Sequence, residues 1–296
     1  MNEATGYAIK HMDEKRLKKI ALLPNVVTAF GLSCGLFVIF KMSMVGFGEA
    51  DSKVLMAATG ILLLAALADM LDGAIARAIK AESDFGGIFD SLADAISFGV
   101  APSVIILKSL SVPPGTKLSF LVTTASIIFS LCGVLRLVRF NVNALEAKTN
   151  TNLALAQKKH FTGLPIPAGA TAVVSLDLFL FSDDLIPSGF LSQTSQSWIL
   201  SIALIFIGYC MISRWKFPSI KTLEIRVASF STVFYTALAA VLIFFGILHY
   251  FSLVFMICSW CYVFIALTLA VIRKFAGRKS KTLEEFEPEP DIIEEE

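Results

Sequence analysis

The chain has 296 residues, of which 56% are hydrophobic and 17% are charged, and its formal net charge at neutral pH is +1. Soluble domains carry about 25% charged residues. This composition therefore excludes an ordinary soluble protein and predicts one that crosses a membrane several times, and we expect no nucleic acid among its partners.

Eight apolar stretches are long enough to cross a bilayer, which takes about 20 apolar residues in a helix. They cover 24–44, 54–76, 87–109, 118–138, 165–182, 197–213, 229–248 and 250–272. The sequence therefore predicts an all-α bundle of about eight transmembrane helices, with a membrane domain over residues 23–274. Residues 1–22 are interpreted either as an amphipathic juxtamembrane segment or as a solvated run of charges. The acidic tail at 275–296 is expected to be disordered.

The placement of lysine and arginine predicts the orientation, since basic residues stay on the cytoplasmic side of a membrane. With both termini in the cytoplasm, 21 of the 25 basic residues fall in cytoplasmic segments. The outer loops keep the other four, Lys41, Lys53, Lys108 and Lys117. This asymmetry predicts a multi-pass protein of the cell (inner) membrane whose second and third spans meet on the cytoplasmic side.

Four aspartates cluster where the second span ends and the third begins. Asp69 and Asp72 are three positions apart, and Asp90 and Asp94 are four apart, so each pair projects from one helix face with its members about 5–6 Å from each other. Acidic groups at a membrane edge are costly unless a cation compensates them. Oxygen ligands select Mg²⁺, Mn²⁺ or Ca²⁺. We therefore predict a divalent-metal site held by all four aspartates, and two ions would suit a pyrophosphate substrate.

Small and basic residues lie beside the acids. Gly73 and Ala76 share a helix face with the first aspartate and leave room for a ligand against the backbone, while Arg77 offers a donor fork for phosphate oxygens. Asn25 and Thr28 lie at the cytoplasmic end of the first span. They are interpreted either as lining of a nucleotide pocket or as interhelical hydrogen-bonding groups.

The spacing D-x2-D-G-x2-A-R-x8-G-x3-D-x3-D, which runs from Asp69 to Asp94, resembles the signature of the CDP-alcohol phosphotransferase family. The resemblance implies a membrane enzyme that transfers a phosphatidyl group from a CDP-linked lipid to an alcohol and releases CMP. It also implies a homodimer. It adds Ser83 and Gly86 to the residues expected to surround the nucleotide, and it makes Asp94 the candidate general base.

Further stretches resemble the phosphatidylserine synthase branch of this family. They are the opening at 23–25, the run at 91–102, and the run at 136–141 that resumes at 161–168. The resemblance implies that the donor is CDP-diacylglycerol and the acceptor is L-serine.

Two arginines are candidates for holding the acceptor. Arg136 and Arg139 lie three positions apart at the cytoplasmic end of the fourth span, and a guanidinium fork suits the serine carboxylate. The alternative is that both arginines anchor their helix to lipid headgroups.

Other acceptors and one other class of protein remain open at this point. Glycerol 3-phosphate and inositol, or inositol phosphate, are alternative acceptors, since Lys158, Lys159 and Arg226 leave a phosphorylated acceptor possible. A secondary transporter could also use intramembrane acids, to bind coupling ions. Against it, these acids lie at one end of two consecutive helices and the sequence shows no inverted repeat.

Overall fold

The computed structural model describes residues 22–46, 49–79, 83–110, 112–149, 161–182, 191–213, 216–217 and 249–276. Its helices are α1 (Leu23–Met44), α2 (Ser52–Ala78), α3 (Asp84–Asp94), a π-helix (Ala95–Val100), α4 (Ala101–Ser109), α5 (Lys117–Thr149), α6 (Ile166–Leu180), α7 (Gln193–Ile212) and α8 (Phe251–Ala276). Two short strands, β1 (Phe161–Thr162) and β2 (Lys216–Phe217), pair antiparallel.

The predicted all-α, multi-pass membrane bundle is confirmed. Within the described ranges, six helical stretches are long and apolar enough to cross a membrane, and α3, the π-helix and α4 together form one of them, Asp84–Ser109. The stretch predicted at 165–182 is found as the shorter apolar helix α6. The predicted span at 229–248 lies outside the described residues. So do the segment 1–21, the tail from 277 onward, and Lys158, Lys159 and Arg226.

Local sequence explains where the helices near the acidic cluster begin. The Asp51 carboxylate accepts a hydrogen bond from the Val54 amide at 2.9 Å and caps α2, while the Ser83 hydroxyl accepts from the Gly86 amide at 3.0 Å and caps α3. Such side-chain acceptors satisfy the amides that a helix start leaves without partners. The helix α6 begins at Ile166, between two prolines, and proline is favoured in the first turn of a helix.

Small residues let the helices approach closely, as is typical of membrane bundles. α1 packs along α2, and α5 along α7. A Cβ atom built on Gly31 would lie 3.4 Å from the Ala68 side chain, and one on Gly208 would lie 3.3 Å from Cys132. The helix α8 packs on α6, where the Trp260 indole donates to the Ala172 carbonyl at 3.0 Å. These contacts build the frame on which α1, α2 and α3 present their polar residues at one end.

Candidate active site

Three of the four aspartates meet between α2 and α3. One carboxylate oxygen from each of Asp69, Asp72 and Asp90 lies within 4.8 Å of the other two. Asp72 is buried, with 4% of its surface exposed, and its carboxylate accepts a 2.5 Å hydrogen bond from the Thr28 hydroxyl of α1. Oxygen ligands at this spacing fit a hard divalent cation, so the donor set is suited to Mg²⁺ or Mn²⁺.

Asp94 lies beside this group of three. Its side chain comes within hydrogen-bonding reach of Asp69, as does that of Asp90. It is the last residue of α3, and the π-helix starts immediately after it. The structure therefore brings all four predicted acids to one place: oxygens of three lie within 4.8 Å of one another, and Asp94 lies next to Asp69.

A cleft of about 260 Å³ opens next to the acids. All seven residues predicted to bind the nucleotide line it, namely Asn25, Thr28, Gly73, Ala76, Arg77, Ser83 and Gly86. Asp72 and Asp90 also line it, so the cleft and the carboxylate group share a wall. A ligand in the cleft would therefore lie against these two carboxylates.

The glycines of the cleft have identifiable roles. A Cβ on Gly73 would lie 3.3 Å from a guanidinium nitrogen of Arg77, so the arginine folds back over the glycine. A Cβ on Gly86 would lie 3.1 Å from both the Asn25 amide oxygen and the Ser83 hydroxyl. Glycine at these positions keeps the polar groups close together and leaves the cleft open.

The two candidate acceptor arginines have different surroundings. Arg136 is 9% exposed, and its Nε atom has no hydrogen-bond partner among the described residues. Its guanidinium is close enough to Asp94 and to Tyr262 of α8 to interact with them electrostatically. A buried guanidinium with an unsatisfied donor beside the acidic group is well placed to receive an anionic ligand.

Arg139 instead contacts backbone carbonyls at the end of α7. It donates to the Ile212 carbonyl at 2.8 Å and reaches the Ser213 carbonyl at 3.5 Å. It also lies against Gly163, whose positive φ of 82° suits a residue without a side chain. A Cβ at Gly163 would lie 3.0 Å from the Arg139 guanidinium. Arg139 thus connects α5 to the end of α7. Neither of the two interpretations from the sequence, headgroup anchoring or acceptor binding, predicts this contact.

Sequence reasoning missed one contact near the acids. The Ser91 hydroxyl donates to the Asn141 amide oxygen at 3.1 Å and links α3 to α5. Both residues belong to the stretches that carry the resemblance, but no role was assigned to either of them. The position of Ser91 next to Asp90 could have indicated this contact, because a polar residue there can fix the helix that carries a predicted metal-ligating residue.

Comparison with known proteins gives a consistent result. Residues 21–209 match the family described as CDP-alcohol phosphatidyltransferase. A CDP-diacylglycerol–serine O-phosphatidyltransferase of Helicobacter pylori is 30% identical over 84% of this chain and 95% of its own length. A protein with the same name from Methanocaldococcus jannaschii is 32% identical over 68% of this chain and 76% of its own length. Another from Bacillus subtilis is 32% identical over 67% of this chain and 91% of its own length. The chain therefore belongs to the CDP-alcohol phosphatidyltransferase family.

Proposed function

We propose that this protein transfers the phosphatidyl group of CDP-diacylglycerol to L-serine and releases CMP. One observation carries the proposal: the group of three aspartates shares a wall with a cleft lined by small and polar residues. The names of the relatives support serine as the acceptor. An archaetidylserine synthase of Methanothermobacter thermautotrophicus, 32% identical over 71% of the chain, also carries serine in its name.

In this proposal the cleft binds the CDP part of the donor. Arg77 offers its guanidinium to the phosphate oxygens, and Gly73 and Ala76 admit the ligand against the α2 backbone. Asn25 and Ser83 supply polar atoms at the open side of the cleft. The lipid tails extend along the apolar outer surface of the bundle, where residues such as Met70 and Phe85 are exposed.

Asp69, Asp72, Asp90 and Asp94 are the proposed ligands for divalent metal, with two ions in the site. When bound, Mg²⁺ or Mn²⁺ would neutralise the pyrophosphate charge, including the charge that develops on the departing CMP. The three carboxylates whose oxygens lie within 4.8 Å of one another are consistent with at least one such ion. Like charges this close repel each other strongly without a cation, so the arrangement itself favours an occupied site.

The reaction is proposed as a single in-line displacement. The serine hydroxyl oxygen forms a bond to the phosphatidyl phosphorus, while the bond from that phosphorus to the bridging oxygen breaks and CMP leaves with the electron pair. Asp94 takes the hydroxyl proton as general base. Its place near Arg136 supports this role, because a base must reach the acceptor and Arg136 is the residue proposed to hold it.

Arg136 is the residue we propose for the serine carboxylate. It is buried near Asp94 and keeps one donor without a partner in the described part of the chain. Arg139 was predicted for the same role and stays a candidate, but its carbonyl contacts favour a structural role. The distribution of basic residues supports a site on the cytoplasmic side of the inner membrane, and we also propose a homodimer, as the family resemblance implies.

An acceptor screen tests the proposed function. Purified protein with CDP-diacylglycerol and Mn²⁺ or Mg²⁺ should release CMP when L-serine is added and form phosphatidylserine in equal amount. Glycerol 3-phosphate and inositol are the comparison acceptors. CMP release that depends on either of these and not on serine would contradict the serine assignment. Absence of CMP release with all three acceptors would contradict transferase chemistry at this site.

A further inference from the structure

The six-residue π-helix directly after Asp94 is a feature that the proposed chemistry does not use. It covers Ala95–Val100, and the Ala101 amide closes it by donating to the Ile96 carbonyl, five residues back. Short π-helical turns inside α-helices are rare and are frequently found at functional sites. Each residue of an α-helix turns the chain by about 100°. A π-helical turn contains one extra residue, so the side chains of α3 are rotated by about that angle relative to those of α4.

This change of phase decides where the acids point. The residues of α4 that follow the π-helix are fixed in the core, where Ala101, Ile105 and Ile106 are fully buried. With α4 held in place, an uninterrupted α-helix would turn Asp94 away from its present direction by about 100°. The π-helix therefore allows α4 to pack in the core while Asp94 faces Asp69.

Neighbouring helices hold the π-helix from two sides. On the α1 side, a Cβ on Gly35 would lie 2.7 Å from the Cβ of Ser97 and 2.8 Å from its Cα, so glycine permits the close approach. On the α5 side, the Ser130 hydroxyl donates to the Gly99 carbonyl at 2.8 Å. The Ser103 hydroxyl lies 2.9 Å from that of Ser130 and donates to the Ser126 backbone carbonyl at 3.1 Å. Side chains that insert into a helical hydrogen-bond ladder are a known cause of local distortion.

We propose that Ser130 is a positioning residue for the active site. By donating to the Gly99 carbonyl it stabilises the π-helix, and the π-helix keeps Asp94 turned toward Asp69. The inference rests on the proposed function, in which Asp94 is the general base. Asp90 depends less on Ser130, because the hydrogen bond between Ser91 and Asn141 holds α3 independently.

The test compares two serine-to-alanine variants on the same helix. Ser126 lies four residues before Ser130, is 2% exposed, and its hydroxyl has no hydrogen-bond partner in the described part of the chain. Ser130→Ala should lower kcat for serine-dependent CMP release about tenfold, whereas Ser126→Ala should stay within about twofold of wild type. KM for CDP-diacylglycerol should change less than twofold in both variants, because the residues that line the cleft keep their positions. Mn²⁺ affinity, measured by calorimetry, should fall less in Ser130→Ala than in Asp90→Asn, because Asp69, Asp72 and Asp90 keep their positions and only Asp94 turns away.

Two further variants keep the proposal testable if Ser130→Ala folds poorly. Ser130→Thr keeps a hydroxyl and should recover most of the wild-type kcat. Ser103→Ala removes only the neighbouring hydroxyl and should give a smaller loss in kcat of the same kind. Recovery by threonine would not be expected if the serine merely filled space.

Three outcomes would overturn the proposal: an unchanged kcat in Ser130→Ala, an equal loss in Ser126→Ala, or a fall in Mn²⁺ affinity in Ser130→Ala as large as that in Asp90→Asn. The last would mean that Ser130 supports the whole carboxylate group rather than Asp94. Failure of the proposed function is distinguishable, because it would appear in the wild-type protein as absence of serine-dependent CMP release.

Discussion

Gly73 and Arg77 occupy one wall of the cleft, where the guanidinium folds over the missing side chain. A leucine at Gly73 would displace Arg77, whose nearest nitrogen is 3.3 Å from the position of a Cβ, and would fill space that the nucleotide needs. Gly73→Leu should raise KM for CDP-diacylglycerol at least about tenfold, which corresponds to about 1.4 kcal/mol, or abolish turnover. Steady-state CMP release measures this.

Gly60 provides a matched control for that substitution on the same helix. A Cβ there would meet nothing within 4 Å, so Gly60→Leu should leave KM for the donor unchanged. Wild-type kinetics in Gly73→Leu would mean that the small residue serves helix packing and that the nucleotide binds elsewhere.

Substitutions at Arg136 test acceptor recognition separately from donor binding. Removing one charge-assisted hydrogen bond costs about 1.5–3 kcal/mol, so Arg136→Ala should lower kcat/KM for serine by about tenfold to over a hundredfold. Binding of CDP-diacylglycerol should stay near normal. Arg136→Lys should restore activity only in part, since an ammonium is a point charge and not a planar fork. Donor binding and serine kinetics are measured in parallel.

Arg139→Ala is the comparison for Arg136→Ala. It removes the contacts with the Ile212 and Ser213 carbonyls, so it should lower the melting temperature and change serine kinetics less. If donor affinity falls as far as turnover in Arg136→Ala, or if serine kinetics do not change, the acceptor is held by other residues.

The sequence alone predicted which residues come together where the pattern was local. The spacing from Asp69 to Asp94 placed the acids on two facing helices, and the residues chosen for the nucleotide all line one cleft. The environment of Arg139 could not be predicted, because it depends on a carbonyl 73 positions further along the chain. A pattern of neighbouring residues does not reveal a contact between positions so far apart in the sequence.

Among the elements, α6 carries an acid far along the sequence from the predicted site. Asp177 is 1% exposed and accepts a 2.5 Å hydrogen bond from Ser109 of α4, while its Oδ2 atom has no partner in the described part of the chain. An intramembrane carboxylate with an unsatisfied oxygen is costly. Asp177→Asn keeps an acceptor for Ser109 and removes any charge, so the melting temperature should stay equal or rise, with CMP release unchanged.

Asp177→Leu separates the hydrogen bond from the charge. It removes the acceptor for Ser109, and we expect a lower melting temperature than in Asp177→Asn. Loss of activity in a stably folded Asp177→Asn would contradict a purely structural role and assign a function to the carboxylate.

Hydropathy predicted where helices cross the membrane better than where they end. The first span was predicted at 24–44 and found as Leu23–Met44, but α5 continues to Thr149, well past the predicted end at residue 138. Its last turns are polar, and a helix can continue after its apolar part has ended. The π-helix had no signal in the sequence, because it depends on contacts from α1 and α5.

The features proposed for catalysis lie at one end of the bundle. The acids, the cleft, Arg136 and the Arg139 contact lie near the points where α1, α3 and α6 begin and where α2 and α7 end. Basic residues predict that this end faces the cytoplasm, where a water-soluble acceptor and CMP can enter and leave. In the proposed function, the donor lipid would reach the same end from within the membrane. A lipid and a soluble substrate would then meet there.

Metal binding and turnover, measured together in wild type and Asp90→Asn, test whether these aspartates form a metal-dependent transferase centre. The acidic group is proposed to work only with a divalent cation, so chelation should abolish serine-dependent CMP release and added Mg²⁺ or Mn²⁺ should restore it. Asp90→Asn should insert and fold normally, bind Mn²⁺ more weakly by calorimetry, and release no CMP. Full activity after exhaustive chelation, or an active Asp90→Asn variant, would contradict a metal-dependent transferase centre at these aspartates.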